Sequence, residues 1–310
     1  MKKVIITGAT GMIGHALIEY LLNRNIEVLA IIRENNNRKN NLPNHKLLKI
    51  VECNLENLSK INITENDYDV FFHFAWDGTF GISRNDTTLQ MKNVQYTKDA
   101  VELAKKTGCS TFIGAGSQAE FGRVEGIISE DTIPNPENEY GKAKLIASEE
   151  SRKLANQYNI KHIWTRIFSV YGPYDRMETM IMNTIKTMIE ENESPKYTKG
   201  EQLWDYIYST DVAKAMYLLA QKGKTNETYC IAYGEQHKLY EYIEEIRDNI
   251  KPNIKLRLGE ISYSPNQVMN LCVSINKLKN DTGFIPEVNF EEGINKTVKW
   301  YKERMKNEKN

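Results

Sequence analysis

The chain has 310 residues, 40% of them hydrophobic, with Lys+Arg and Asp+Glu balanced at 41 each. This is enough chain to bury one large core with room for a smaller second one, which excludes a disordered or fibrous protein. Charge balance leaves no global field to gather nucleic acid or an anionic membrane surface, so any anionic ligand has to be held locally. The four cysteines, Cys53, Cys109, Cys230 and Cys272, show neither CxxC pairing nor metal-ligand spacing with the five histidines. They read as buried reduced thiols, and no metal is expected. The start, Met1-Lys2-Lys3-Val4-Ile5-Ile6, is interrupted by Thr7-Gly8 and Gly11 too early for a signal peptide. No segment approaches the roughly 18 apolar residues of a membrane span. A cytoplasmic protein with no membrane or nucleic-acid partner is expected.

In chain order, short β-branched runs alternate with helical patterns, the signature of a parallel sheet covered by helices. Strands are expected at 3–7, 27–32, 47–52, 70–75, 111–115, 162–167 and 227–231. Helices are expected over 12–22, over a stripe of Val94, Val101 and Ala104 ending at Gly108, and over 140–158. This order predicts an α/β fold with a doubly wound parallel sheet of Rossmann type. Residues 1–172 form the dinucleotide-binding domain, to which the chain returns at about 205–232, and 173–310 mainly form a smaller C-terminal substrate-binding lobe. Within that lobe a helix is expected over 180–190 and a strand over 206–208. Two further apolar stripes follow, Val212, Ala215, Met216, Leu219 and then Ile294, Thr297, Val298, Tyr301, the second capped by Asn289. Residues 35–41 read as a polar mobile loop, and the tail from Lys302 as a solvated, frayed helix end.

Directly after the first strand comes Thr7-Gly8-Ala9-Thr10-Gly11-Met12-Ile13-Gly14, opening the first helix. Small residues there let the backbone approach a pyrophosphate, which the free N–H groups and dipole of the helix attract. The strand-turn-helix context supplies what glycine spacing alone does not. The next strand ends Ala30-Ile31-Ile32-Arg33, where an acid would bond the adenosine ribose of NAD. An arginine at that place suits a 2′-phosphate, so NADP(H) is favoured, with NAD(H) possible.

Tyr140 and Lys144 stand at i and i+4 on one helix face, where phenol and ammonium converge near one ligand. An unperturbed phenol, with a pKa of about 10, is a poor proton donor and acceptor near neutrality, and a nearby ammonium lowers that value. Ser117, after the fifth strand, falls at the carboxyl edge of the sheet, where it can hold a substrate oxygen.

These residues carry a resemblance. The chain resembles the extended short-chain dehydrogenase/reductase family of nucleotide-sugar epimerases, dehydratases and ketoreductases nearly end to end. The match runs from the Gly8 turn through His73-Phe74-Ala75, Asn93, Ser117, Tyr140 and Lys144, and Arg166 to Tyr171-Gly172-Pro173. It continues through Asp205-Tyr206-Ile207-Tyr208 with Asp211-Val212-Ala213 to the closing segment from Gly293 to Trp300-Tyr301. The resemblance implies catalytic roles for Ser117, Tyr140 and Lys144. It implies further dinucleotide contacts at Asn54, Leu55, Phe74, Ala75, Trp76, Asn93 and Ile167, and substrate contacts at Thr79, Ser117, Gln118, Tyr140, Ser169 and Arg176. His73 reads as a structural strand-end residue.

Family members differ in the chemistry that accompanies hydride transfer. In the family's 4,6-dehydratases an Asp-Glu pair follows the catalytic Ser/Thr; here Gln118-Ala119 stands there, and neither side chain carries that proton traffic. Glu120 comes one residue later, where strand alternation turns it to the opposite face. The expected activity is therefore NADPH-dependent reduction of a nucleotide-linked 4-keto-6-deoxysugar, favoured by Arg33 and by the loop 76–81. A nucleotide-sugar 4-epimerase with retained NAD is the alternative, and a non-catalytic NADP(H)-binding regulator a second one. The arginine that many relatives carry before the Asp-Tyr/Phe-Ile strand is replaced by Leu203-Trp204, and a second one near 267–271 is missing; Arg176 or Arg257 could substitute. Trp204 reads as packing. The segments 78–86 and 175–180 are candidates for sugar contacts. The resemblance also implies a homodimer paired through the helices at 89–106 and 140–158.

Overall fold

The computed structural model describes residues 1–309, with side chains described through residue 307. Its centre is a sheet of seven parallel strands: β1 (Lys3–Thr7), β2 (Glu27–Ile32), β3 (Leu48–Glu52), β4 (Val70–His73), β5 (Thr111–Ser117), β7 (Lys161–Ile167) and β11 (Glu227–Ile231). They lie in the order β11-β7-β5-β4-β1-β2-β3, so the winding reverses between β1 and β4. Doubly wound sheets bind ligands at that reversal, beyond the carboxyl ends of the strands. The short β6 (Ile127–Ile128) pairs outside this sheet with β13 (Cys272–Val273).

Alternation along each strand feeds two cores. On one face Val4, Ile6, Val28, Ala30 and Phe72 meet Leu17, Ile18 and Leu21 of α1 (Met12–Leu22) and Val212, Met216 and Leu219 of a helix over Ser209–Lys222. On the other, Ile5, Leu29, Phe71 and Phe112 meet Ala100, Val101 and Leu103 of α2 (Thr87–Lys106). α3 (Glu139–Gln157) lies beside α2 and covers β5 and β7.

After β7 the chain leaves the large sheet. β8 (Val170–Tyr171) pairs with β10 (Ile207–Tyr208), and between them run α4 (Met180–Glu190) and β9 (Leu203–Trp204). The helix over Ser209–Lys222, α5, brings the chain back to β11 beside β7. β12 (His237–Lys238) pairs with β9, and α6 (Leu239–Ile250), α7 (Asn276–Thr282) and α8 (Phe290–Lys309) close the chain. A third core joins Ile181 and Ile185 of α4 to Ile246 of α6 and Ile294, Val298 and Tyr301 of α8. Asn289 caps α8 by accepting from Glu292 N at 2.9 Å, as its sequence predicts.

One expectation changes, and two helices, α6 and α7, add to those expected. The polar segment 35–41 is a 3₁₀ turn over Asn37–Asn41, capped by the Asn36 side chain and tied to the glycine turn by Asn36 Nδ2 donating to Thr10 Oγ1 at 2.9 Å. α6 buries only Tyr242, Ile243 and Ile246 among charged neighbours, a stripe too narrow to stand out in sequence.

Gly14 fixes how closely α1 meets the turn before it. A Cβ there would lie 2.4 Å from Gly8 O and 2.8 Å from Ala9 Cα, both backbone atoms that cannot swing aside. Gly14→Ala is therefore expected to lower unfolding free energy by about 1–3 kcal/mol, read as a reduced urea midpoint with an unchanged slope. An unchanged midpoint would show that helix and turn separate freely.

Candidate active site

The site begins at the β1–α1 turn. Gly8 has φ +72°, and a Cβ on it would strike Ala75 N at 2.7 Å, so only glycine lets this turn touch the exit of β4. Gly11 caps α1 and supplies no side-chain acceptor, and the first turn holds no acidic residue. Its backbone N–H groups are thus left for an anion. Thr7 Oγ1 bonds His73 Nδ1 at 2.8 Å across the β1–β4 seam. His73, in the core, is held neutral by burial, its pKa pushed down to about 3. It is structural, as its sequence position suggests.

A cavity of about 680 Å³ opens over this seam. Of the residues expected to hold the dinucleotide, Thr7, Gly8, Thr10, Gly11, Arg33, Leu55, Phe74, Ala75 and Trp76 line it. Thr79 and Arg176, expected at the substrate, line it too, and Arg176 donates to Thr79 Oγ1 at 2.6 Å. The size and shape of this cradle, with its glycine turn and helix N-terminus, fit a dinucleotide.

Other expected residues fall elsewhere. Met12, Ile13 and Gly14 are absent from the cavity lining and form the first turn of α1, whose free backbone N–H groups are theirs. The Asn54 oxygen accepts from Glu34 N, and Ile167 is buried at the end of β7. Asn93 is corrected: its oxygen accepts from Asp77 N at 2.8 Å and its nitrogen donates to Asp77 O and Leu89 O, so the amide clamps the loop after β4. Ser169 accepts from Trp204 Nε1 at 2.8 Å, which makes Trp204 a packing residue. Arg257 pairs with Glu260 at 2.9 Å and is not at the cavities.

Arg33 is 69% exposed and stands a loose 3.8 Å from Asp77. Asn36, Asn37 and Arg38 line the cavity as well. Their 3₁₀ turn brings a second cation there, a placement that a run of polar residues does not announce.

Tyr140 of α3 does not itself line this cavity; its ring meets that of the lining residue Trp76, near the carboxyl end of β5. It is 8% exposed, and Ser117 hydrogen-bonds its hydroxyl. Burial pushes the phenol above its ordinary pKa, opposed by the Ser117 bond and the guanidiniums of Arg84 and Arg176. The i, i+4 spacing assigns that lowering to Lys144, and the geometry differs. Lys144 Nζ donates to Ala115 O at 2.6 Å and lies 3.7 Å from the centre of the Trp76 ring. Burial drives its pKa down to about 7. Trp76 in turn meets Tyr140 edge-on at 6.0 Å and donates to Gln90 Oε1.

A second cavity, about 630 Å³, borders Tyr140's helix and is lined by Arg84, Gln118, Ala119, Arg123, Asn138 and Leu271, among others. Gln118 Oε1 is buried there and accepts no hydrogen bond from the described residues. Arg84 stacks on the Tyr140 ring at 4.6 Å. It belongs to the segment 78–86 expected to meet sugar, yet nothing in its spacing marks it out from its neighbours.

Glu120 is turned from the cavity, though not by strand alternation. β5 ends at Ser117 and a 3₁₀ turn over Gln118–Glu120 succeeds it, in which the Glu120 carboxylate accepts from Ser117 N at 2.9 Å. It also accepts from Trp164 Nε1 at 3.0 Å and pairs with Arg166 at 2.8 Å. No cluster of metal-ligating side chains occurs among the described residues.

The fold and this site define a dinucleotide-binding α/β enzyme of the short-chain dehydrogenase type. The model of the NAD dependent epimerase/dehydratase family matches residues 4–232, and the chain belongs to that family. It is similar to a dTDP-glucose 4,6-dehydratase of Escherichia coli, 25% identical over 96% of this chain and 93% of that one. It is also similar to the solved UDP-N-acetylglucosamine 4-epimerase of Methanobrevibacter ruminantium in complex with UDP-N-acetylmuramic acid. That match has TM-score 0.88 and 25% identity, and covers 98% of this chain and 99% of that chain. The UDP-glucuronic acid 4-epimerase of Bacillus cereus, solved with UDP-glucuronic acid and NAD, shares the fold at TM-score 0.84 and 22% identity, covering 97% of this chain and 99% of that one.

Lys144 gives a pH signature. Its folded pKa of about 7 lies below the ordinary 10.5, so between these values the unfolded chain holds a proton that the folded protein has released. Stability therefore rises with pH across that window. Relative to Lys144→Met, the wild type should gain about 1 kcal/mol per pH unit between pH 7 and 9 in denaturant melts. Parallel pH curves for the two proteins would show that the buried ammonium is not penalised.

Proposed function

We propose that the protein reduces a nucleotide-linked 4-keto-6-deoxysugar with NADPH. The observation that carries this reading is the pairing of Ser117, Tyr140 and Lys144 with Gln118 and Ala119, where the family's dehydratases hold an acid and base. The Tyr140 hydroxyl donates its proton to the 4-keto oxygen, which Ser117 holds, and the dinucleotide supplies hydride to the carbon when bound. Gln118 Oε1, buried and without a hydrogen-bond partner among the described residues, accepts from a sugar hydroxyl. Lys144, beside Trp76 and the Ala115 carbonyl, orients the nicotinamide end, and the α1 N-terminus takes the pyrophosphate. Arg33 and Arg38, both lining the cavity that also holds the glycine turn, support a 2′-phosphate and hence NADP(H).

The second reading, a 4-epimerase retaining NAD, is favoured by the likeness to the Methanobrevibacter ruminantium epimerase and by the NAD bound in the Bacillus cereus structure. We take the protein to be cytoplasmic, a reading supported by its four free, buried cysteines; no described helix is long and apolar enough to cross a membrane. A homodimer through α2 and α3 is supported by the exposed Met91 and Ile146 on those helices.

The test is the reduced-nicotinamide absorbance of protein and NADPH before and after a nucleotide-linked 4-keto-6-deoxyhexose is added. Loss in proportion to sugar is expected, and Tyr140→Phe should slow it at least about a hundredfold. No loss, with NAD retained by the purified protein, moves the assignment to the epimerase. Full turnover by Tyr140→Phe would remove that residue from the chemistry. For the cofactor, the R33A/R38A double variant should lose at least tenfold in NADPH affinity, about 1.4 kcal/mol, with NADH binding little changed; equal binding of both dinucleotides by the wild type overturns the preference.

A further inference from the structure

We propose that Arg84 is a positioning residue for proton transfer: its guanidinium, stacked on the Tyr140 ring, is the fixed positive charge against which the phenolate forms. This rests on the reading of Tyr140 as the group that moves the proton. In the reduction, that proton passes from the Tyr140 hydroxyl to the substrate oxygen while hydride reaches the carbon. The carbonyl becomes an alcohol, a phenolate is left behind, and solvent returns its proton.

A buried phenolate is costly without a nearby cation. Several elements present groups to Tyr140. From the end of β5 and the turn after it come the Ser117 hydroxyl, which stabilises the phenolate, and the Glu120 carboxylate, which opposes it. From the segment after β4 comes the neutral edge of Trp76. Arg176, from the segment after β8, acts as a second cation but is engaged by Thr79 Oγ1. Lys144, on Tyr140's own helix, stands 5.8 Å from the ring centre and directs its ammonium to Ala115 O and the Trp76 face.

Arg84 differs from each of these. It lies 4.6 Å from the ring centre, closer than Lys144, and no hydrogen bond or ion pair to a carboxylate engages it among the described residues. The contrast with Arg123, on the wall of the same cavity, is direct: Arg123 is spent on Glu137 at 2.8 Å and 2.9 Å. A guanidinium also keeps its charge at any pH a protein survives. Lys144, with a pKa near 7, is neutral before a buried phenol ionises in the free protein. The positive charges that remain near Tyr140 at that point are guanidiniums, and Arg84 is the one set against its ring.

The experiment titrates Tyr140 in the free protein, without substrate, as the phenolate absorbance of wild type minus that of Tyr140→Phe, and repeats the subtraction in each variant background. Arg84→Gln should raise the Tyr140 midpoint by about one pH unit, Arg84→Glu should raise it further, and Lys144→Met should move it less than Arg84→Gln does. Arg84→Lys should restore most of the wild-type midpoint. An unchanged midpoint in both Arg84→Gln and Arg84→Glu, or a larger shift in Lys144→Met, overturns the proposal. No sugar enters the measurement, so a protein that fails to oxidise NADPH can still show the shift, and a working reductase can fail to show it.

Discussion

The carboxylate of Glu120 is the constraint on which the reaction end of the site depends. With no exposure to solvent, it accepts from a backbone amide, an indole and a guanidinium on two different strands: Ser117 at the end of β5, and Trp164 and Arg166 on β7. A buried charge survives only when its lone pairs are filled in this way. Because one of those partners is the backbone of Ser117 itself, the turn that presents the Ser117 hydroxyl is set by the strand beside it. Gly116 completes the arrangement, since a Cβ there would lie 2.3 Å from both the Glu120 carboxylate and the Trp164 indole nitrogen. The carboxylate that sequence turns away from the site is thus the anchor of the residue three positions before it.

Around this anchor the charges divide by task. Arg33 and Arg38 stand at the wall of the larger cavity, while the α1 N-terminus provides backbone donors without fixed charge. Around Tyr140, Lys144 has lost much of its basicity to burial, and the Arg84 guanidinium lies over the phenol ring. Net neutrality of the whole chain is compatible with this, because fields that matter here act over a few ångströms in a site of low dielectric.

Much of the fold is legible in sequence because its signals are periodic. β1, β2, β11, α1 and α4 fall where alternation and turn spacing place them, and the glycine turn sits at the winding reversal that the strand order implies. The short ladders, β6 with β13 and β9 with β12, are not legible, since two-residue pairings are fixed by tertiary contact alone. The same limit applies at the site. Residues with a motif, such as Gly8, Tyr140 and Lys144, are found from spacing. Asn93 and Ser169 carry the right polar groups, but the loop after β4 and the Trp204 indole claim them, and only coordinates show a competing partner. Arg38 and Arg84 reach their cavities through 3₁₀ turns, whose direction no periodicity encodes.

The hydrogen bond from Arg176 to Thr79 joins the segment after β8 to the loop after β4 at the rim of the larger cavity. Charged donors hold a neutral acceptor with about 1.5–3 kcal/mol when shielded and less when solvated, so this tie opens and closes far faster than the sheet beneath it can rearrange. Removing the Arg176 side chain would therefore untie the two segments without disturbing the strands, so that one residue sets the shape of the rim and leaves the fold alone.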